Sequence, residues 1–144
     1  MDEFELRLTQ RQAELTTAAL DAHSRLYLGQ LEIVLLEHPA IAQRLNSENR
    51  AEAEFLVSSL KKLLFGFERN QSYGIHNSSF VDDAARQEYD VMKVIKHRLL
   101  WDRHETGRSA IPFGPYADEP QRASTDWSIP LPVMTRVPVD KKVL

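Results

Sequence analysis

The chain has 144 residues, a net charge of −3 and a pI near 5.9, with 42% apolar and 27% charged residues. That is enough for one domain with a real core, and the acidic balance argues against a broadly basic nucleic-acid binder. The absence of cysteine excludes disulfides, a thiol nucleophile and thiolate metal ligation.

Residues 1–5 carry three acids and no apolar run, so they do not read as a signal peptide. No stretch approaches the ~20 apolar residues of a membrane span. A cytoplasmic setting without membrane contact is expected.

Phe4, Leu6 and Leu8 alternate with Glu3, Glu5 and Arg7. This is the period of a half-buried strand. Thr9 and Gln12 have capping-box spacing, which predicts a helix from about Gln10. Leu15, Ala18, Ala19, Ala22 and Leu26 form its stronger apolar face, and Ala13, Leu20 and Tyr27 form a weaker second line. The three alanines would let a partner helix come close. Gly29 breaks or bends this helix, and the apolar pattern resumes until Pro39.

After a short connector, Ser47 is the expected N-cap of the next helix, which runs to about Phe65. Its apolar set is Ala53, Leu56, Val57, Leu60, Leu63 and Leu64, an amphipathic pattern. Residues 66–79 read as a polar loop, long enough to carry function. Tyr73 and His76 are its candidate site residues.

The last helix spans about 82–105, with Asp82 and Asp83 at its start and Arg103 and His104 at its end, as the helix dipole favours. Val91, Met92, Val94, Ile95, Leu99 and Trp101 share one broad arc, yet Arg98 and Asp102 project from its centre, four residues apart. Three readings stand open. They are a solvated pair at the margin of a narrower core stripe, a buried pair that fixes docking, and a ligand or active site. The polar side carries Lys93, Lys96, His97, Arg103 and His104, with Tyr89 and Leu100 among them. It offers a protein contact, a seat for the tail or, less favoured, a phosphate-binding face.

Beyond Gly107 the composition changes, with six of the seven prolines in the last 33 residues. Proline at that density forbids ordinary helix. An extended arm is expected, with short edge strands at 110–116 and 133–139. Phe113, Tyr116, Trp127, Ile129, Leu131 and Met134 should pack on the domain or on a partner.

His97 and His104 lie two turns apart, too far to share an ion unaided. His23 is expected as a hydrogen-bonded core histidine, and His38 beside a helix end. The chain holds no His-Glu-x-x-His, no Gly-x-Ser-x-Gly and no phosphate-binding glycine loop.

"ALDAHSRLYLGQLEIVLLEH", then "YDVMKVIKHRLLWDRHETG" and "DEP", resemble a set of small uncharacterised proteins of bacteriophages, prophages and plasmids. Their pattern reads Tyr-Asp-x-x-x-Val-Ile-Arg-His-x-Leu-x-Trp, then a glycine turn and Asp-Glu-Pro. Tyr89, Asp90, Val94, Ile95, His97, Leu99, Trp101, Gly107 and Asp118 to Pro120 occupy it, and Lys96 replaces the arginine. The resemblance implies a bacterial or phage intracellular setting and no particular activity.

The expected architecture is mainly α. A three- to four-helix domain with a minor β element (1–106) is followed by a proline-rich extended arm (107–144). The expected function is non-enzymatic binding or regulation by protein contact, as a homodimer and without cofactor or metal. Its partner would be a host or phage protein. Candidate contact residues are Tyr73, His76, Tyr89, Lys93, Lys96, His97, Arg98, Leu100, Asp102 and Trp127. A nucleic-acid accessory protein using the last helix is one alternative. A small enzyme with a site at the 66–80 loop and Arg98/Asp102 is the other.

Overall fold

A computed structural model of the chain describes residues 4–77, 79–105 and 121–137. The elements are α1 (Gln10–Tyr27), a π-helical segment (Glu32–Leu36), α2 (Pro39–Ala42), α3 (Arg50–Phe65) and α4 (Asp83–Glu105). Among the described residues there is no strand. The expected edge strand at 110–116, the turn at Gly107 and Asp118 to Pro120 lie outside them.

Residues 4–8 are irregular rather than a strand, with Phe4 and Leu6 exposed. Alternation alone gives no partner for the backbone groups, and among the described residues no neighbouring strand supplies one. Residues 133–137 are irregular for the same reason, with Val133 and Val137 exposed.

The capping box forms as expected: the Thr9 hydroxyl accepts from Gln12 N at 3.2 Å, and Thr9 N donates to Gln12 Oε1 at 2.8 Å. The face that α1 presents to α4 is not the expected alanine face. Ala13, Thr17 and Ser24 are buried, with Leu20 half-buried between them, whereas Leu15, Ala18, Ala19 and Leu26 are exposed. The polar members can be buried because their own helix satisfies them. Thr17 Oγ1 donates to Glu14 O at 2.7 Å, and Ser24 Oγ donates to Asp21 O at 3.1 Å. Small side chains along this line let α1 lie close on α4. Ala13, Ile95 and Leu99 form the core there, with Leu8, Leu20, Val91 and Met134 against it.

Gly29 ends α1 at φ +72, where a Cβ would be strained. It is also crowded, because a Cβ there would meet Phe65 at 3.2 Å and Phe67 at 3.3 Å. The end of α3 therefore rests on a glycine. Phe65 stacks on Phe67, Phe67 meets Tyr73 edge-on, and Tyr73 stacks on Phe80. A second core of Leu28, Val81 and Ala85 lies under Tyr73 and Ile75.

The loop before α3 corrects the expected cap. Asn46 Oδ1 accepts from Glu48 N at 2.9 Å and Asn49 N at 3.1 Å, and Asn49 Oδ1 accepts from Asn46 N at 2.8 Å. This reciprocal pair fixes the turn before the helix, and Asn49 rather than Ser47 occupies the N-cap position, without a side-chain cap hydrogen bond. Gly66, at φ +70, closes α3.

Candidate protein-contact surface

The helix α4 is covered from two directions, by α1 and by the described part of the arm. Asp90, 3% exposed, receives that arm. Its carboxylate accepts from Ala123 N at 2.6 Å, Ser124 N at 3.0 Å and Ser124 Oγ at 2.7 Å. Two turns earlier, Asp83 accepts from Thr125 N at 2.7 Å and Thr125 Oγ1 at 2.8 Å, and from Gln87 at 2.9 Å. The Thr125 amide, then Gln87 and the Thr125 hydroxyl, hold the Asp83 carboxyl down at about 2. Lys93 Nζ donates to Gln121 O at 3.2 Å. Residues 121–125 thus dock on their own chain through Asp83, Asp90 and Lys93 of α4.

The expected site residues of α4 do not form an open face. Tyr89, Lys93, Lys96, His97, Arg98, Leu100 and Asp102 are all half-buried. Arg98 Nε donates to Asp102 Oδ1 at 2.9 Å, and the two side chains are 28% and 23% exposed. The pair is therefore neither fully solvated nor fully buried. Arg103 is ion-paired with Glu14 of α1 at 2.8 Å.

The loop candidates separate. Tyr73 is half-buried in the aromatic stack and its amide donates to Leu28 O at 3.0 Å, while His76 is exposed. The loop is held by Arg86, 3% exposed, which donates to Ile75 O at 3.0 Å and Asn77 O at 2.9 Å. His23 is hydrogen-bonded, with Nδ1 2.8 Å from both Glu88 oxygens, but it is exposed rather than in the core. His38 caps the start of α2, where its Nδ1 accepts from Ala40 N at 3.1 Å. Among the described residues no group of three His, Asp or Glu is placed to hold a metal ion.

Trp127 stands out in solvent, 78% exposed, with the Arg122 guanidinium 5.0 Å from its ring centre. Arg122 is itself fixed by the carbonyls of Asp126 and Ile129.

Among the described residues a run of exposed large apolar side chains lies on α3, where no site residue was expected. Among the described elements α3 neighbours only the π-helical segment. What it turns inward is its charged edge. Lys61 is 2% exposed, and its Nζ donates to Glu32 Oε1 at 3.0 Å, Glu32 Oε2 at 2.9 Å and Arg69 O at 2.7 Å. All three ammonium donors are satisfied. Glu54, on the same edge, pairs with Arg69 at 3.0 Å. With that edge fixed inward, the apolar stripe points away from the chain. Leu56 is 58% exposed, Leu60 41%, Leu63 81% and Leu64 62%, and Phe55 on the adjoining face is 69% exposed. A helix read from its periodicity as core-facing is anchored by its polar side. The one sequence signal for this is Lys61 within the apolar run, and it gains meaning only once Glu32 and Arg69 are beside it.

Comparison with protein-family models, with curated proteins and with solved structures finds no match to this chain. No helix of the described residues is long and apolar enough to cross a membrane.

Proposed function

We propose that this chain is a non-enzymatic binding protein that acts by protein–protein contact, with the outward stripe of α3 as its principal contact surface. The observation that carries this is the inversion of α3: four leucines are presented to solvent along one stripe of a helix whose charged edge is locked inward. An exposed apolar stripe of this kind marks an interaction site. The resemblance noted on α4 supplies the setting for a concrete version, an inhibitor carried by a phage or mobile element and directed at a host or defence protein. Trp127, backed by Arg122, is a second element such a target would meet, since Trp and Arg dominate interface energetics.

The nucleic-acid reading is less supported, because Lys93 and Arg103 already bond to the chain itself. The enzyme reading is less supported, because Arg98 and Asp102 already bond to each other.

The test compares wild type with Leu56→Glu/Leu63→Glu. Wild type should associate, with itself or with a protein retained from bacterial extract, and the variant should not. A wild type that stays at chain mass and retains nothing beyond what the variant retains would overturn the reading.

A further inference from the structure

We infer that the partner of the α3 stripe is a second copy of α3, packed antiparallel about a twofold axis. This rests on the protein-contact reading and names the occupant of the same surface.

The first argument is spacing. Ala53, Leu56, Leu60 and Leu63 are separated by three, four and three residues, which is the seam of a helix that packs on another helix. A twofold contact requires a patch that fits itself, and this seam does. In antiparallel register Leu56 of one copy faces Leu60 of the other at the centre. Ala53 faces Leu63 at the ends, so the small residue accepts the most exposed leucine.

The second argument is area. The exposed parts of Leu56, Leu60, Leu63 and Leu64 make a stripe on the order of 400 Å², within the about 300–600 Å² that the largest patch of a monomer spans. It is about half of the roughly 800 Å² that each partner brings to a standard interface.

The third argument is charge. Glu52 lies in the first turn of α3, beside Arg50, and Lys62 lies in its last turn, where it pairs with Glu68 of its own chain at 2.7 Å. Antiparallel pairing brings Glu52 near the height of the other copy's Lys62 and opposes the helix dipoles, whereas parallel pairing sets like against like.

The chain has no cysteine, so single thiols report the pairing directly. The full chain is prepared as Leu56→Cys, as Leu60→Cys and, as an off-stripe control, as Arg11→Cys. Each is oxidised mildly, alone and in mixtures, and disulfide-linked dimer is read on a non-reducing gel. The expected result is several-fold more linked dimer in the Leu56→Cys plus Leu60→Cys mixture than in either alone. The Ala53→Cys plus Leu63→Cys mixture should repeat it at the outer layer. Strong linking of each variant alone would mean parallel pairing and would overturn the register. Linking no stronger than with Arg11→Cys would overturn self-pairing and leave the stripe to another protein. In that case loss of captured protein on Leu56→Glu/Leu63→Glu would still uphold the protein-contact reading, so the two fail separately.

Discussion

The two halves of this molecule use polar groups in opposite ways. In the α1–α4–arm half, buried polar groups accompany a buried apolar core. Thr17, Ser24 and Asp90 sit beside Ala13, Met92, Ile95 and Leu99, each with its hydrogen bonds made. In the α3 half, the buried group is Lys61 and the leucines lie outside. A polar group can be buried wherever geometry satisfies it, but apolar area left in water gives up about 25 cal/mol per Å² of stabilisation. The first half thus buries its polar groups beside an apolar core, whereas the second buries a lysine and leaves its leucines in solvent.

The largest expected effect on this contrast comes from Asp90→Ala. It strands two backbone amides and a hydroxyl in a buried site, which costs about 3 kcal/mol. Denaturant unfolding should show that loss, and trypsin should cut faster at Arg122. An unchanged midpoint would mean that the arm does not belong to the half with the apolar core.

Next is Lys61→Ala, expected to destabilise by about 2–3 kcal/mol because Glu32 and the Arg69 carbonyl lose their shared partner. Lys61→Met with Glu32→Leu should recover much of it, since neither charge is then left alone. Recovery by the double variant separates the cost of a stranded charge from a general intolerance of change in α3.

Asp83 sharpens the comparison through pH. Its carboxyl is held at about 2, against 3.8 for an unperturbed aspartate. A depressed carboxylate stabilises the folded state above its unfolded value, and that share is lost as pH falls from about 4 through 2. The share is about 1–2 kcal/mol, allowing for partial exposure. Acid titration of the unfolding midpoint should show it, and Asp83→Asn should flatten the profile in that window.

The smallest effect is expected from Asp102→Ala. The Arg98–Asp102 pair is more than a fifth exposed on each side, so its loss should cost within about 1 kcal/mol. A loss of about 3–5 kcal/mol in a thermal or denaturant melt would place the pair in a dry interior instead.

Local signals in the sequence were legible. Thr9 and Gln12 begin α1 where their spacing places it, the break at Gly29 is real, and α4 starts within a residue of its expected position. Facing was not legible. Periodicity names a stripe but not what it meets, and two stripes compete on α1. The one holding Thr17 and Ser24 faces α4 because hydroxyls bonded to their own helix cost little to bury. On α3 the inward edge was decided by partners 29 and 8 residues from Lys61, Glu32 and Arg69. The arm's seat was hidden likewise: Asp90 lies 33 residues from Ala123, and no short pattern links them.

The central claim is that the α3 stripe belongs to a contact surface and not to the chain's own core. Circular dichroism of Leu56→Glu/Leu63→Glu through a thermal melt tests it most directly. An outward stripe accepts two glutamates. The variant should keep the wild-type helical signal at 25 °C and melt cooperatively, at a midpoint that does not change on dilution. Buried carboxylates in a core would each cost several kcal/mol, enough to unfold a domain of ordinary stability. A variant without helical signal and without a melting transition would contradict the claim.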